Sequence, residues 1–484
     1  MKNAFLIDYV NGRSCAVLGL GVSNMPLVRL LLDAGAEVTV YDKRSAEELG
    51  DGALELFARG VRFIKDDGNF DNIDGQLIFR SPGIRPDKRG ILSAIERGAE
   101  LTSEIELLLK LTRAKSYAIT GSDGKTTTTT LTGKFLSEAA RKGNGEVYVG
   151  GNIGTPLLDK CDHMQPGDFT VLELSSFQLM TLGDAPERVA ITNISPNHLD
   201  WHKDMGEYVR AKENIIGVRT KRLVTNADCA ETLRIARDNL EGGNMEIVLF
   251  SSVKHSFDEI FAGLERRESC FAVYTKDNGI YIADAEGESL ALSLEDIKIP
   301  GRHNVENYMT AIGLTFGDVP THVYKTVANG FLGVEHRLEF VRRVNGVDYY
   351  NSSIDSSPTR TAAALSALAD RSIVLICGGY DKKIPYEPLA RAICEHGGIR
   401  AVSLTGATGE KICGEIEKYR RESGKGKEII LEYSSDFYDA VSLAKEMARE
   451  GDALLLSPAS ASFDYFKNFM ERGNVFKDIV NNFK

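Results

Sequence analysis

The chain of 484 residues has no apolar run that approaches the 18 residues of a membrane span. Its first residues also have no apolar stretch long enough for a secretion signal. Only seven cysteines are present, and none forms a C-x-x-C pair, which disfavours a disulfide framework and a structural zinc site. These absences predict a cytoplasmic protein with reduced thiols and no membrane insertion.

The chain also lacks an excess of positive charge, a sequence repeat and a low-complexity linker. Its net charge is −11, which argues against a nucleic-acid-binding surface and against an anionic-membrane surface. The apolar fraction of 43% and the charged fraction of 26% are ordinary for globular proteins. The length predicts two or three domains, with any phosphorylated substrate held in local basic pockets.

The most informative stretch is Y-A-I-T-G-S-D-G-K-T-T at residues 117–127. A short apolar strand runs into a turn whose glycines, Gly121 and Gly124, let backbone N–H groups face one anion. Lys125 adds charge for the β- and γ-phosphates, and Thr126 offers a hydroxyl to Mg²⁺. Ile119 stands where the common G-x-x-x-x-G-K-[ST] motif has its first glycine. An ordinary glycine turn is the weaker interpretation. The predicted ATP contacts are Gly121, Ser122, Asp123, Gly124, Lys125, Thr126 and Thr127.

A second glycine motif lies near the N-terminus. Residues 15–24 predict a strand that enters G-L-G, followed by a helix and by a second strand that ends at Asp42. Asn24 occupies the third position of the dinucleotide fingerprint, so a role in NAD binding is only weakly indicated. The same geometry holds a nucleotide diphosphate at a helix N-terminus. Lys43 and Arg44 add positive charge there, and Ser81 begins an S-P-G-I loop that can close over a ligand.

Polar clusters follow two further predicted strands of the central region. Residues 169–172 end at Glu173, and residues 188–194 run into an H-x-D-x-H cluster. Strands alternating with helices predict a mostly parallel sheet, with its ligand crevice at the carboxyl ends of the strands. Glu173 is therefore a candidate Mg²⁺ ligand. The cluster consists of His198, Asp200 and His202. A second metal contact by one of its histidines is more plausible than a metal held by all three residues. By residue type alone, Lys212 is an ordinary solvated helix lysine.

The predicted fold class is α/β with three domains. Residues 1–110 form a Rossmann-like domain, residues 111–332 a phosphate-loop domain with a mostly parallel sheet, and residues 333–484 a second Rossmann-like domain. In the last block, residues 348–351, 372–377 and 453–456 are predicted as strands. Residues 361–369 and 438–448 are predicted as helices between them.

Seven motifs in fixed order resemble those of the Mur ligase family over nearly the whole chain. They are T-G-S-D-G-K-T-T, G-G-N-I-G-T-P, L-E-L-S-S-F-Q, N-H-L-D, Y-V-R-A-K, G-R-H-N-V-E-N and G-V-E-H-R. The G-L-G-V-S start, the S-P-G-I loop followed by T-S-E-I-E-L, and residues 456–469 resemble the branch that adds D-glutamate to UDP-N-acetylmuramoyl-L-alanine. The D-N-P-R motif of the branch adding diaminopimelate or lysine is absent.

The resemblance implies roles for individual residues. In the family, Lys125 contacts phosphates, Thr126 and Glu173 bind a first Mg²⁺, and His198 with a carbamylated Lys212 binds a second. The implied UDP-substrate contacts are Ser23, Asp42, Lys43, Arg44, Ser81 and Asn152. The implied nucleotide contacts outside the loop are Asn304, Asn307 and Arg337. The implied D-glutamate contacts are Lys382, Ser462 and Phe469, and for Phe469 a plain core position is the open alternative.

This chain departs from the family pattern at three positions. Asp123 stands where members usually carry Asn, which adds negative charge beside the phosphates. Ser352 replaces an aspartate expected to hold ribose, and Ile354 replaces a lysine near the amino-acid site. The last two substitutions leave the ribose contact and the strictness for D-glutamate open.

The resemblance implies a monomeric, ATP-dependent amide ligase that works through an acyl phosphate in peptidoglycan precursor synthesis. Four alternatives remain open at this point. They are a related ligase that adds another amino acid, a folylpolyglutamate synthase-like enzyme, a non-catalytic nucleotide-binding protein and an NAD-dependent oxidoreductase. The N-terminal G-x-G block speaks against the second. The joint presence of Lys125, Glu173, His198 and Lys212 speaks against the third.

Overall fold

The computed structural model describes residues 4–21, 24–141, 143, 145–199, 201–240, 245–299, 301–382 and 384–484. The chain divides into two compact units, Met1–Gly330 and Phe331–Lys484. The first unit holds two β-sheets and the second holds one. The predicted substrate contact Ser23 and the cluster residue Asp200 lie outside the described residues. The predicted bounds of the three domains stay a prediction.

The first sheet has five parallel strands in the order β3-β2-β1-β4-β5. Its central strand is buried on both faces, since Cys15 and Val17 pack into one apolar cluster while Ala16 and Leu18 pack into another. The strands are β1 (Ser14–Leu18), β2 (Glu37–Asp42), β3 (Arg62–Lys65), β4 (Leu77–Arg80) and β5 (Glu100–Thr102). The helices are α1 (Ala4–Val10), α2 (Asn24–Asp33), α3 (Ala46–Leu49), α4 (Asp51–Ala58), α5 (Arg89–Glu96) and α6 (Glu104–Leu111).

The second sheet has nine strands in the order β14-β13-β12-β11-β10-β9-β6-β8-β7, parallel except for the β12-β13-β14 meander. The strands are β6 (Lys115–Thr120), β7 (Val147–Gly151), β8 (Phe169–Glu173), β9 (Arg188–Ile191), β10 (Arg222–Asn226), β11 (Glu246–Ser251), β12 (Cys270–Lys276), β13 (Gly279–Ala283) and β14 (Glu288–Ser293). The helices are α7 (Lys125–Ala140), α8 (Ser176–Leu179), α9 (Met205–Glu213), α10 (Ala230–Leu240), α11 (Phe257–Ile260), α12 (Arg302–Thr315) and α13 (Thr321–Gly330), with 3₁₀ turns at Leu158–His163 and Leu294–Asp296.

The third sheet has six strands in the order β15-β16-β20-β17-β18-β19, of which only β15 pairs antiparallel among the described residues. The strands are β15 (Glu339–Val344), β16 (Val347–Asn351), β17 (Ile373–Gly378), β18 (Ile399–Thr405), β19 (Ile430–Ser434) and β20 (Ala453–Leu456). The helices are α14 (Pro358–Ala367), α15 (Glu387–Glu395), α16 (Gly406–Ser423), α17 (Phe437–Met447) and α18 (Phe469–Asn481).

The α/β class and the parallel-rich sheets predicted from the sequence are confirmed. The predicted α6 is found with its Ser103 cap, whose hydroxyl accepts the Glu106 N–H at 3.2 Å. The predicted strand at residues 188–194 was too long, since β9 ends at Ile191. Beyond it the chain turns to the phosphate loop, where Asn193 accepts the Ser122 N–H at 2.9 Å. Among the residues that the structure describes, no helix is both long and apolar enough to cross a membrane.

Candidate nucleotide and ligase site

The phosphate loop lies between β6 and α7, at the carboxyl edge of the second sheet. Gly121 and Gly124 have φ values of 146° and 78°. A Cβ on Gly121 would lie 1.8 Å from the Thr192 hydroxyl oxygen, and one on Gly124 would lie 2.3 Å from the Asn307 amide oxygen. Glycine is therefore required at both positions. Lys125 begins α7, and its Nζ donates to the carbonyl oxygens of Gly121 (2.9 Å) and Ser122 (2.8 Å).

The segment after β9 holds the loop in place. The Asp123 N–H donates to the Asn193 side chain at 3.0 Å, and the Thr192 hydroxyl donates to the Asp123 carbonyl at 2.6 Å. The Ser122 hydroxyl lies 2.9 Å from the Tyr208 hydroxyl and accepts the Ser195 N–H at 2.9 Å. These bonds use the backbone of Asp123 and leave its side chain exposed. Thr126 and Thr127 are half-buried in the first turn of α7, whose N-terminus suits an anion.

Glu173 ends β8, next to the loop strand β6, and is 1% exposed. Its Oε1 accepts the Asn152 side-chain amide at 2.8 Å. Its Oε2 is buried and has no hydrogen-bond partner among the described residues. A buried, half-satisfied carboxylate is costly unless a cation completes it. The structure thus brings the predicted metal ligand Glu173 together with the predicted substrate contact Asn152.

Lys212 on α9 is 1% exposed, so the expectation of a solvated lysine, drawn from residue type alone, was wrong. Its Nζ donates to the Gly121 carbonyl at 2.7 Å and lies 4.6 Å from the centre of the Tyr208 ring. Burial, followed by the nearby charge of Lys125, lowers the pKa of Lys212 to about 6. This shift favours the neutral amine, which lies beside the glycine turn that precedes α7.

The two histidines of the H-x-D-x-H cluster have different surroundings. His198 is exposed, has a left-handed φ of 54°, and meets the Phe177 ring edge-on at 5.0 Å. His202 is buried, and its Nε2 lies 2.9 Å from the Ser176 hydroxyl. Burial lowers the pKa of His202. In the part of the chain that the structure describes, no three His, Cys, Asp or Glu side chains are grouped to hold a metal.

A cleft of about 400 Å³ opens beside the loop. The predicted contact Asn307 is buried, accepts the Thr128 hydroxyl at 3.2 Å, and donates to the Asn304 side chain at 3.2 Å. Sequence reasoning missed six of the residues that line this cleft. They are Thr192, Asn193, Phe250, His303, Glu306 and Thr310. For the α12 residues a signal was present, since positions 303, 306, 307 and 310 fall on one helix face.

The N-terminal glycine loop forms a second group of predicted contacts in the first unit. The Asp42 carboxylate accepts the N–H of Leu20 at 2.8 Å and of Arg44 at 3.0 Å. Burial acts to raise the pKa of Asp42, but these hydrogen bonds outweigh it and hold the pKa below its usual value. The Ser81 hydroxyl donates to the Gly19 carbonyl at 2.9 Å. Lys43 and Arg44 are exposed beside it, so Asp42, Lys43, Arg44 and Ser81 share one corner of the first unit.

The predicted D-glutamate contacts, Lys382, Ser462 and Phe469, lie in the second unit and differ in burial. The Lys382 Nζ donates to the carbonyl and hydroxyl oxygens of Ser356, both at 3.3 Å. Ser462 is buried. Phe469 begins α18, is half-buried, and meets the His336 ring edge-on at 5.9 Å. Arg337 is exposed.

The departures from the family pattern in this unit fall in the turn after β16. Ser352 is buried, and its hydroxyl accepts the Leu338 N–H at 3.1 Å. Three residues later, Asp355 is buried and its carboxylate accepts the Ser457 hydroxyl at 2.8 Å. Burial raises the pKa of Asp355. The turn therefore keeps a carboxylate, although position 352 has none.

Comparisons with known proteins agree with this geometry. Residues 119–315 match the Mur ligase middle domain, and residues 336–460 match the Mur ligase, glutamate ligase domain. A UDP-N-acetylmuramoylalanine–D-glutamate ligase from Ruminiclostridium cellulolyticum is 44% identical over 98% of each chain. The chain belongs to the Mur ligase family. A ligase of the same name from Clostridium novyi is 42% identical over 100% of both chains.

A solved Mur ligase shares the fold. The crystal structure of a UDP-N-acetylmuramate–alanine ligase from Thermotoga maritima aligns with 98% of this chain and 100% of its own, at a TM-score of 0.53 and 18% identity. The middle-domain match contains the phosphate loop, Glu173 and Lys212. The glutamate-ligase match contains Lys382 but ends before Ser462 and Phe469.

Mur ligases use ATP and Mg²⁺. Two features of this chain fit them. The phosphate loop keeps glycines at two positions where a Cβ would meet Thr192 or Asn307, which leaves its backbone bare, and the Oε2 of Glu173 is buried without a partner among the described residues. Thr126 and Glu173 are the residues that would hold the ion beside the phosphates.

Proposed function

We propose that this chain joins D-glutamate to UDP-N-acetylmuramoyl-L-alanine with ATP, in peptidoglycan precursor synthesis. The observation that carries the proposal is the arrangement of Lys125, Glu173 and Lys212 around one buried loop. Relatives that bear the name UDP-N-acetylmuramoylalanine–D-glutamate ligase match the chain from end to end at 42–44% identity. The geometry supports a phosphoryl-transfer site, and the names of the relatives support the substrate class.

The reaction needs an activated carboxyl group, because a free carboxylate is a poor electrophile. The L-alanyl carboxylate attacks the γ-phosphorus of ATP, the bond to the β-phosphate oxygen breaks, and an acyl phosphate and ADP form. The D-glutamate amine then attacks the acyl carbon and loses a proton. The tetrahedral intermediate expels inorganic phosphate and leaves an amide.

The loop residues perform the electrostatic part of this chemistry. Lys125, at the start of α7, is the proposed phosphate contact, and the backbone N–H groups in the first turn of α7 are the proposed donors to the phosphate oxygens. Mg²⁺, when bound, neutralises the charge that develops on the phosphate oxygens. Asn304 and Asn307 flank the cleft where the base of the nucleotide is proposed to lie. The corner formed by Asp42, Lys43, Arg44 and Ser81 is proposed for the UDP group.

A carbamate on Lys212 is part of the proposal, together with a second Mg²⁺ held by that carbamate and His198. An ammonium group would repel a cation, whereas a neutral amine can capture CO₂ and become an anion. The burial of Lys212 against the Gly121 carbonyl supports this role. In the second unit, Lys382, Ser462 and Phe469 are proposed for D-glutamate and Arg337 for the nucleotide.

The proposed ligase works as a monomer in the cytoplasm, where ATP and nucleotide-linked precursors are made. All seven cysteines lie among the described residues and are free thiols, which supports a reducing compartment. Sedimentation equilibrium at several protein concentrations tests the monomer. A concentration-independent mass near 53.1 kDa is expected.

The deciding experiment follows phosphate release with UDP-N-acetylmuramoyl-L-alanine, ATP and Mg²⁺ while single amino acids are added. Strong turnover with D-glutamate alone is expected. Equal turnover with L-lysine, diaminopimelate or L-alanine would overturn the substrate assignment, and Ile354 is the first residue to exchange in that case. ATP binding without turnover for every amino acid would instead indicate a non-catalytic nucleotide-binding protein.

A further inference from the structure

Arg85 follows the S-P-G-I loop and uses all five of its N–H donors. Its Nε and Nη2 donate to the two oxygens of Asp87 at 2.9 and 3.0 Å. Its Nη1 and Nη2 donate to the two oxygens of Glu207 at 3.2 and 2.8 Å. The fifth bond runs from Nη1 to the Trp201 carbonyl at 2.6 Å, and the guanidinium lies 4.9 Å from the centre of the Trp201 ring. Such a fork cannot be reproduced by a lysine.

The other end of the loop is held by Arg80, which is 1% exposed. Its Nη1 donates to the carbonyls of Pro82 (3.0 Å) and Ile84 (2.6 Å). Its Nη2 donates to the Phe177 carbonyl at 2.9 Å. The two arginines at the ends of the loop therefore connect it to residues that follow strands β8 and β9 of the second sheet.

Arg85 donates hydrogen bonds to the segment formed by residues 201–212. Glu207 lies five residues before Lys212 on α9, and its carboxylate also accepts the Lys203 N–H at 2.9 Å. Trp201 packs on Phe177 with ring centroids 4.5 Å apart. Arg85 thus contacts Trp201 and Glu207, and Glu207 lies on the same helix, α9, as Lys212.

The loop itself touches the UDP corner. Ser81 donates to the Gly19 carbonyl and accepts the Asn24 side-chain amide at 2.9 Å. A ligand bound at the N-terminal glycine loop would therefore lie beside the S-P-G-I loop, which Arg85 connects to residues 201–212. The S-P-G-I loop is therefore linked to Lys212 through the bonds from Arg85 to Glu207 and through the backbone of α9, which carries both Glu207 and Lys212.

We propose that Arg85 is a positioning residue that couples the S-P-G-I loop to residues 201–212 and so sets the position of Lys212. This inference rests on the proposed function, because that function assigns the loop to the UDP-substrate and Lys212 to the reacting end. Arg85 touches no reacting atom. It acts by setting the position of Lys212.

Trp201 offers a direct readout, because it is the chain's single tryptophan. Selective excitation of tryptophan in the full chain is followed while UDP-N-acetylmuramoyl-L-alanine is titrated without ATP. In the unsubstituted chain, binding is expected to change the emission of Trp201. In Arg85→Gln the change is expected to disappear, while calorimetry shows a substrate Kd within about threefold of the unsubstituted chain.

The kinetic expectation separates positioning from folding. Arg85→Gln is expected to lower kcat by about 10-fold or more, while KM for ATP stays within about twofold. Arg85→Lys is expected to be intermediate. Glu207→Gln is expected to act in the same direction, and the double variant Arg85→Gln/Glu207→Gln to lose less than the sum of the single changes.

The matched control is Arg59→Gln. Arg59 also bridges two carboxylates in the first unit, with Nη2 2.6 Å from Asp33 and Nη1 3.9 Å from Glu55. It is expected to leave kcat and the Trp201 response unchanged.

A folded Arg85→Gln with unaltered kcat and an unaltered Trp201 response would overturn the inference. If Arg85→Gln does not fold, the same two results in Arg85→Lys and Glu207→Gln overturn it. Absence of turnover in the unsubstituted chain would overturn the proposed function and this inference together. Turnover in the unsubstituted chain with normal turnover in the variants overturns this inference alone.

Discussion

Asn152 holds Glu173 at two points. The Asn152 N–H donates to the Glu173 carbonyl at 2.7 Å, and its side-chain amide donates to the Glu173 carboxylate at 2.8 Å. A Cβ on the preceding Gly151 would lie 2.3 Å from that same carbonyl, so β7 and β8 approach closely here. One oxygen of the carboxylate is thereby fixed and the other is directed into a buried space.

Replacing Asn152 by Asp places a second carboxylate against Glu173. The Glu173 carboxylate is buried, although Asn152 is exposed. Repulsion between the two carboxylates favours protonation of one of them, so stability is retained at low pH and lost as the pH rises. The loss of unfolding free energy is expected to be small at pH 4 and to reach about 1–3 kcal/mol at pH 8. Denaturant titrations at both pH values measure it.

Asn69→Asp is the control for that substitution. Asn69 also donates its amide to a carboxylate, that of Asp67 at 2.8 Å, but the pair is exposed. Solvent screens the added charge, so the effect is expected to be small at both pH values. An Asn152→Asp effect equal to that of Asn69→Asp would show that the burial of Glu173 does not strengthen the repulsion.

Lys212→Ala tests the carbamate. Turnover is expected to fall by more than about 100-fold, the upper range for groups that only support a metal ligand. ATP binding is expected to persist, and added short carboxylates are expected to restore part of the rate by occupying the vacated space. Lys221→Ala is the control, because the Lys221 side chain is 73% exposed. Near-normal turnover in Lys212→Ala would remove the carbamate from the mechanism.

Gly121→Ala tests the shape of the phosphate loop. A side chain at a φ of 146°, 1.8 Å from the Thr192 hydroxyl, forces the loop out of position. ATP affinity measured by calorimetry is expected to fall by about 10-fold or more. Gly167→Ala is the control, since a Cβ there meets nothing within 4 Å. Equal affinities in the two variants would show that the loop tolerates a side chain.

Glu104 makes the first unit sensitive to pH. Burial, followed by the charge of Asp159, raises the pKa of Glu104 from 4.5 to about 7. The stability linked to this group is present below pH 4.5 and is lost as the pH rises to about 7. Glu104→Gln does not titrate, so its advantage over the unsubstituted chain is expected to grow by about 3 kcal/mol across that range and then stay constant.

Thermal or denaturant unfolding between pH 4 and pH 8 measures this difference. Glu96→Gln is the control, because Glu96 is exposed at the end of α5. A difference between Glu104→Gln and the unsubstituted chain that does not change with pH would show that Glu104 is not desolvated.

The features predicted well are those whose signal is local. Gly121, Gly124 and Lys125 lie within five residues of one another. The conformation of a glycine turn that leads into a helix depends mainly on these neighbouring residues. The Ser103 cap of α6 is likewise set within four residues. The β12-β13-β14 meander was not resolved from the sequence, because short strands with mixed residues have weak alternation.

The features missed are those made by distant partners. Lys212 reads as a surface residue until α9 is packed against Thr120 and Gly121, about ninety positions earlier in the chain. Phe250 lies near the end of the buried strand β11 and looks like a core residue, yet it lines the cleft with His303. No local pattern distinguishes these residues from ordinary helix and strand positions.

By itself, the sequence determined the α/β class, the phosphate loop and the order of the motifs, because backbone conformation and strand periodicity depend on neighbouring residues. Only the tertiary structure decided that burial lowers the pKa of Lys212, that one buried carboxylate oxygen of Glu173 has no partner among the described residues, and that Arg85 donates to Glu207. Those properties depend on desolvation and on hydrogen-bond geometry between elements far apart in the chain, and both arise only when the sheets and helices have packed.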